Sequence, residues 1–278
     1  MRGRHIDSVS MPTQPKTSSI VAICSDIHFP LHSKECWAAF RAWHRDTRPD
    51  KTVILGDFLD FGMLSRYVQE ANAPVHAIPQ IELFVREANA LALESREVIV
   101  MEGNHDERWG KILGVNPQFL KGAKGLTLHD QCLAHGLSQN ITWMREDMLV
   151  KGVPCGPFML RHGHKQAGKF GGAKHIAANR LAKTMGQSEV VGHHHRAQMF
   201  CQSAYGRTAV SIANPSLTGP HEYAPDADWQ NGFTVLELYG PNQRYCTPHL
   251  VLMSEGTFAW GGKVYDGQHI VRERNRKR

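Results

Sequence analysis

The sequence predicts an α/β (α+β) fold in which two β-sheets pack as a sandwich flanked by helices. Three observations point there. The first hundred residues alternate apolar runs of strand length with amphipathic stretches of helix length, an order that gives parallel strands joined by right-handed crossovers. The second half is dense in short strand-like runs, with one clear helix among them. No repeat, linker or low-complexity segment divides the two halves, so both belong to one domain.

Taken in order, residues 1–19 are polar, carry Pro12 and Pro15, and have no apolar period; they read as a disordered N-terminal segment. Ile20-Val21-Ala22-Ile23-Cys24 suits a buried strand. A helix follows with Ser33 as N-cap, Trp37, Phe40 and Trp43 inward, and Pro49 beyond its end. The second strand is Thr52-Val53-Ile54-Leu55, closed by Gly56. A long helix then has Pro79 in its first turn and Ile81, Phe84, Val85, Ala88, Leu91 and Ala92 on one face. A third strand over 97–101 ends at Gly103. Further strands are expected at 141–143, 148–151, 158–161, 189–191, 198–202, 208–212, 233–238 and 245–253, and a helix over 173–185 stops at Gly186. The folded domain is expected to span 20–265, and 266–278 to form a basic C-terminal tail, solvated and frayed, with Arg272, Arg274, Arg276, Lys277 and Arg278.

With 278 residues, 41% hydrophobic and 21% charged, the chain buries about three-quarters of its unfolded surface. That excludes a disordered protein and a small disulfide-stapled scaffold. No apolar run approaches the roughly 20 residues of a membrane span, nor is there a signal-peptide core. A soluble, cytoplasmic protein without a membrane partner is expected. The six cysteines form no C-x-x-C pair and read as reduced thiols. Asn140-Ile141-Thr142 fits a glycosylation acceptor, which carries little without secretion. The net charge of +6 is modest, and without an aromatic-rich basic stripe nucleic acid has only weak support as a partner. The odd count is histidine, 17 residues with several in short clusters.

Those histidines fall where chemistry is expected. Asp26-Ile27-His28 follows the first strand, Gly56-Asp57 the second and Gly103-Asn104-His105-Asp106 the third. Arg161-His162-Gly163-His164 and Gly192-His193-His194-His195 end two later ones. Sites in open α/β sheets form beyond the carboxyl ends of strands, so five such ends can converge on one crevice. Asp, Asn and imidazole without thiolate make a hard-to-borderline donor set, suited to Mn²⁺, Fe or Zn²⁺. Seven candidates, Asp26, His28, Asp57, Asn104, His162, His193 and His195, exceed the needs of one tetrahedral ion. Two ions sharing a carboxylate would use them all.

Asp26-x-His28, Gly56-Asp57-x-x-Asp60, Gly103-Asn104-His105-Asp106, His162-Gly163 and Gly192-His193-x-His195, in this order, resemble the calcineurin-like metallophosphoesterases over residues 20 to 240. The pieces differ in specificity: Asp26-x-His28 alone is weak, whereas Gly103-Asn104-His105-Asp106 is expected by chance on the order of once in a thousand such chains, and all five in order are a strong signal. The resemblance implies that family's four-layer architecture and two divalent ions, manganese first, with iron, zinc, nickel or cobalt as alternatives. It places one ion on Asp26, His28, Asp57 and His195. The other lies on Asp57, Asn104, His162 and His193, with Asp57 bridging and a metal-bridging hydroxide attacking phosphorus. His105 would bind no metal and would assist the leaving oxygen, with Asp106 orienting it.

Where the protein Ser/Thr phosphatase branch has Asp-Arg-Gly, this chain has Asp60-Phe61-Gly62; the missing arginine disfavours that branch. Arg108 matches a phosphate-contacting arginine and is the expected substrate-binding residue, since a guanidinium fork grips phosphate oxygens. Asp26-Ile27-His28-Phe29-Pro30 and Asn214-Pro215-Ser216 look like the small bacterial and archaeal phosphodiesterase branch. Strand alternation puts His162 and His164 on the same side and cannot choose between them; the resemblance favours His162. His194 should point away from its neighbours. His32 and Asp60 are read as capping or supporting hydrogen-bonders, and His221 and Glu222 as cleft lining or plain loop.

The expected activity is therefore hydrolysis of a small phosphodiester or phosphomonoester, a nucleotide among the candidates. A nuclease and a catalytically silent metal-binding scaffold for protein partners are the alternatives. His105 separates the last, because a scaffold has no need of a histidine that binds nothing.

Overall fold

A computed structural model describes residues 18–65, 76–112, 125–144, 152–166, 175–184, 186–204, 206–221 and 228–276. The expected strand at 148–151 and Glu222 lie outside them, as do residues 1–17, Lys277 and Arg278.

The first sheet grows from β1 (Ser18–Cys24), which pairs in parallel with β2 (Lys51–Leu55); β2 pairs with β3 (Glu97–Met101), and β3 with β4 (Ile141–Trp143). On the other side of β1 lie two antiparallel strands, β10 (Gly232–Tyr239) and then β11 (Tyr245–Leu252). The second sheet runs β5 (Val153–Cys155), β6 (Phe158–Arg161), β7 (Ser188–Val191), β9 (Arg207–Ala213), β8 (Gln198–Ala204). Its three middle strands are parallel.

Why β1 to β3 read as unbroken apolar runs is visible in the packing. Ala22, Cys24, Ile54, Val98 and Val100 face one core, shared with Trp37, Phe40 and Trp43 of α1 (Lys34–Thr47) and Ile81, Phe84 and Ala88 of α2 (Ala77–Ala92). The alternate residues Val21, Ile23, Val53, Leu55, Ile99 and Met101 face a second core against Val153, Phe158, Leu160, Val190 and Ile212 of the other sheet. Strands buried on both faces have no polar face to show. Ser33 caps α1 as expected, its hydroxyl accepting the Cys36 N–H.

The helix expected over 173–185 is described as Ile176–Lys183 (α5), which covers the outer face of the second sheet and gives the four layers. An ion triad fastens it. Fully buried Glu189 of β7 accepts two bonds of 2.7 Å from Arg180 of α5 and one of 2.9 Å from Arg161 of β6. Removing one partner of such a triad leaves an uncompensated buried charge.

Two short helices went unforeseen, α3 (Arg108–Ile112) and α4 (Leu128–Ala134), the latter begun by a Thr127–Asp130 capping box. The main correction is at the carboxyl end. Thr257–Trp260 (β12) and Lys263–Asp266 (β13) form a hairpin through Gly261 and Gly262, both with positive φ. Gly267–Arg276, expected as a frayed tail, is a helix (α6) packed on α1. No helix among the described residues is long and apolar enough to cross a membrane.

Candidate metal centre

Each sequence motif sits just past the carboxyl end of a strand: β1, β2 and β3 in one sheet, β6 and β7 in the other. The two sets of loops are tied across the sandwich. The His162 imidazole donates from Nδ1 to the carbonyl of Leu55 (2.8 Å), and the His193 N–H donates to the Asp26 carboxylate (3.0 and 3.1 Å). The six histidines and carboxylates expected as ligands fall into two groups whose donor atoms lie within 4.8 Å of one another: Asp26, His28 and His195, and Asp57, His162 and His193.

Within the first group, His195 Nε2 is 3.2 Å from Asp26 Oδ1 and 3.4 Å from His28 Nε2. Within the second, His162 Nε2 is 3.2 Å from both Asp57 Oδ2 and Asn104 Oδ1, which brings the seventh expected ligand to the same place. Asp57 faces both groups, with Oδ2 also 4.0 Å from His28 Nε2. A third group joins His28, Asp57 and His105. His164 enters none of these groups among the described residues; its Nε2 lies 3.2 Å from Glu107 Oε1. His194 packs against the His193 ring, with 5.3 Å between centroids, and His32 bonds the Pro30 carbonyl.

The backbone here departs from ordinary geometry. Asp26, His28, Asp57, His193 and His195 all hold φ between 49° and 70°. Non-glycine residues are uncommon in that left-handed region, although Asp and His tolerate it better than most. Such conformations gather at functional sites, where surrounding contacts over-determine them.

The charges are as telling as the distances. Burial works against ionisation of Asp26, yet the charge and hydrogen bond of His195 outweigh it and hold the carboxyl below the usual range. Asp57, equally buried, is held well below that range by the charges of His162 and His105. Burial pushes His28 down to about 4 and His193 down to about 3, reinforced by the charges of His105 and His162 respectively. Both are therefore neutral, lone-pair imidazoles at pH 7. His162 goes the other way: Asp57 overcomes its burial and pushes it up to about 10. Two buried carboxylates call for positive charge at this spot, and the metal-free chain meets part of that demand with a proton. Neutral imidazoles, carboxylates and an amide oxygen around a demand for positive charge fit a pair of divalent cations.

One expected role moves. His105 is half-buried, its Nδ1 donating to the Asp60 carbonyl (2.7 Å) with Asp60 Oδ1 at 3.6 Å. Asp106 does not reach that ring: its two oxygens accept the N–H groups of Leu59 (3.0 Å) and Gly103 (2.8 Å). Consecutive residues in this turn point apart, so Asp106 braces the loops after β2 and β3, while Asp60 touches His28 (3.3 Å) and His105 alike. Arg108 reaches in as well, donating to the Asp60 carbonyl (3.0 Å) and to His105 Nε2 (3.0 Å). The residue that sequence reasoning missed is Trp229, whose indole lies 4.4 Å from the His195 ring. Thirty-odd positions separate the two in the chain, and no local pattern marks it.

Gly103 leaves no room for a side chain, because a Cβ there would meet the amide and carboxylate of Asp57. Gly103→Ala is expected to displace Asp57 and weaken metal binding about 10- to 100-fold, as loss of an outer support typically does; isothermal titration with Mn²⁺ measures it.

Residues 20–197 match the family model described as calcineurin-like phosphoesterase. Among curated proteins, the chain is 24% identical over 264 residues to the Gene 54 protein of Mycobacterium phage L5, covering 90% of this chain and 99% of that one. The Gene 54 protein of Mycobacterium phage D29 is 24% identical over 262 residues, with the same coverage. Among solved structures, Vacuolar Protein Sorting 29 from Cryptosporidium parvum aligns with a TM-score of 0.46 at 15% identity, over 90% of this chain and 95% of that one. Vps29 from Entamoeba histolytica, solved with Zn²⁺, aligns at 0.44 and 15%, over 88% and 95%.

Proposed function

The chain belongs to the calcineurin-like phosphoesterases, and from that premise we propose that it hydrolyses small phosphate esters with two divalent ions, manganese first. The observation that carries this reading is the pair of donor groups meeting at Asp57. One ion would rest on Asp26, His28, Asp57 and His195, the other on Asp57, Asn104, His162 and His193. When bound, such a pair supplies Lewis acidity and hydroxide near neutral pH. The side chains do the rest. His105 is fixed through Nδ1 by the Asp60 carbonyl; once Arg108 turns from Nε2 to the phosphate, the imidazolium form of His105 donates its Nε2 proton to the leaving oxygen. Arg108, beside that nitrogen, grips a phosphate oxygen with its guanidinium fork. Asp60 positions His28 and His105, and Asp106 holds the two loops in register.

A panel assay of Mn²⁺-loaded protein tests the proposal, comparing p-nitrophenyl phosphate, bis-p-nitrophenyl phosphate, cyclic nucleotides and single-stranded DNA. Turnover of the small esters above that of DNA is expected; preference for DNA would make it a nuclease, and no turnover of any would sink hydrolysis altogether.

Metal loading should also move protons. His162 is pushed up to about 10 in the metal-free chain and must deprotonate to ligate. Binding at pH 7 therefore releases a proton, and affinity rises with pH up to about 10. Calorimetry in buffers of different ionisation enthalpy should count that proton, and heats independent of buffer would refute it.

A further inference from the structure

One end of the centre is walled by rings. His28, His195, Trp229 and His221 close a circuit of edge-on contacts: His28 to His195 at 5.2 Å, His195 to Trp229 at 4.4 Å, Trp229 to His221 at 5.5 Å and His221 to His28 at 5.5 Å. His28, His195 and His221 are buried, and Trp229 is the one member of the circuit that keeps solvent-exposed surface. Neither imidazole stacks flat on the indole, the interplanar angles being 65° and 77°.

The segment that follows the indole is also held in place. The next residue, Gln230, donates its N–H to the His195 carbonyl (2.9 Å), and its side chain accepts the Ala197 N–H (3.0 Å). Asn231 donates to the carbonyls of Ser216 (3.3 Å) and Thr218 (2.9 Å). The charges that flank Trp229 and His195 in sequence, Asp228 and Arg196, pair with each other. What this rim offers a ligand is therefore an aromatic surface next to the candidate metal centre, flanked by the Arg196–Asp228 ion pair.

We propose that Trp229 is a specificity-determining residue that receives the planar base of a nucleotide ester whose phosphate lies at the centre. This rests on the phosphoesterase reading above. A nucleoside places its base one sugar away from its phosphate, the separation that a ring packed directly on the ligand His195 calls for. Stacking on an aromatic side chain tolerates any base, since every base has a π-face, so selection is for a nucleoside rather than for one letter.

Two measurements on the Mn²⁺-loaded full chain decide it. In turnover, thymidine 5′-(p-nitrophenyl) phosphate is compared with ethyl p-nitrophenyl phosphate; both release the same phenolate and only the first has a base. The wild type should prefer the nucleoside ester in kcat/KM by about tenfold, the scale of one stacked base. Trp229→Leu should bring that ratio toward one, and Trp229→Phe should restore most of it. A ratio unchanged by Trp229→Leu, or lost equally in Trp229→Phe, would make the indole a packing partner of His195 and overturn the proposal. In binding, thymidine 5′-monophosphate should quench tryptophan fluorescence in the wild type but not in Trp229→Leu, whereas ribose 5-phosphate should quench neither. Equal quenching by the two phosphates, or none by either, overturns it. Base-dependent quenching without hydrolysis of either ester would leave the stacking site standing and remove the phosphoesterase reading instead.

Discussion

His105→Ala is expected to keep the metal content of the wild type while turnover falls roughly 10²–10⁴-fold, the usual span for a proton-transfer group. The separation of the two effects comes from which atoms do what. The contact of residue 105 with Asp57 is made by its backbone N–H (2.8 Å), and alanine keeps that donor. The imidazole's own contacts are with the Asp60 carbonyl, the edge of His28 and Arg108, and these are what the substitution removes. The expected loss is in kcat, and it should shrink for esters whose leaving group needs no proton, such as p-nitrophenolate. Elemental analysis beside steady-state kinetics makes the test. If metal disappears together with activity, His105 is a ligand, as its place in the third donor group allows.

Asp57→Asn is expected to weaken both ions together and abolish measurable turnover. Oδ1 of Asp57 accepts the His105 N–H while Oδ2 lies 3.2 Å from His162 and 4.0 Å from His28, so one carboxylate serves both donor groups. The amide keeps the shape, removes a negative charge from a fully buried spot and puts an N–H₂ where an anion stood. The proton on His162 should leave more readily as well, since Asp57 is what pushes it up to about 10. Ligands that bind only the folded chain raise its stability in proportion to the logarithm of their excess over Kd. The Mn²⁺-dependent rise in Tm should therefore vanish in this variant. Retention of one ion by elemental analysis would show that the carboxylate does not bridge.

Much of the site was legible because chain direction and chemistry agree. Strands that run parallel bring their carboxyl ends to one side, and Asp, Asn and His stood at five such ends. The reading failed where neighbours in sequence are not neighbours in space. Asp106 was given His105 because it is the next residue, but the turn directs the two side chains apart, and Asp60, forty-five positions earlier, makes the contact. The helix Gly267–Arg276 was unreadable for another reason: only Ile270 and Val271 interrupt its polar sequence. It is held by packing on α1, and tertiary contact routinely overrides a weak local preference. The hairpin before it did carry a signal, Gly261-Gly262 between two strand-like runs, of the kind that marks a tight turn.

The five left-handed residues of the centre have a consequence for anyone seeking a hardier version of this protein. Each holds a backbone shape that glycine enters freely and other residues enter only at a penalty of roughly 1 kcal/mol. A library screened for heat resistance alone would thus enrich glycine at positions such as 28, 193 and 195, and its survivors would be robust and inert. Selection for endurance has to be run with metal binding as a co-requirement, because here the two pull the same codons in opposite directions.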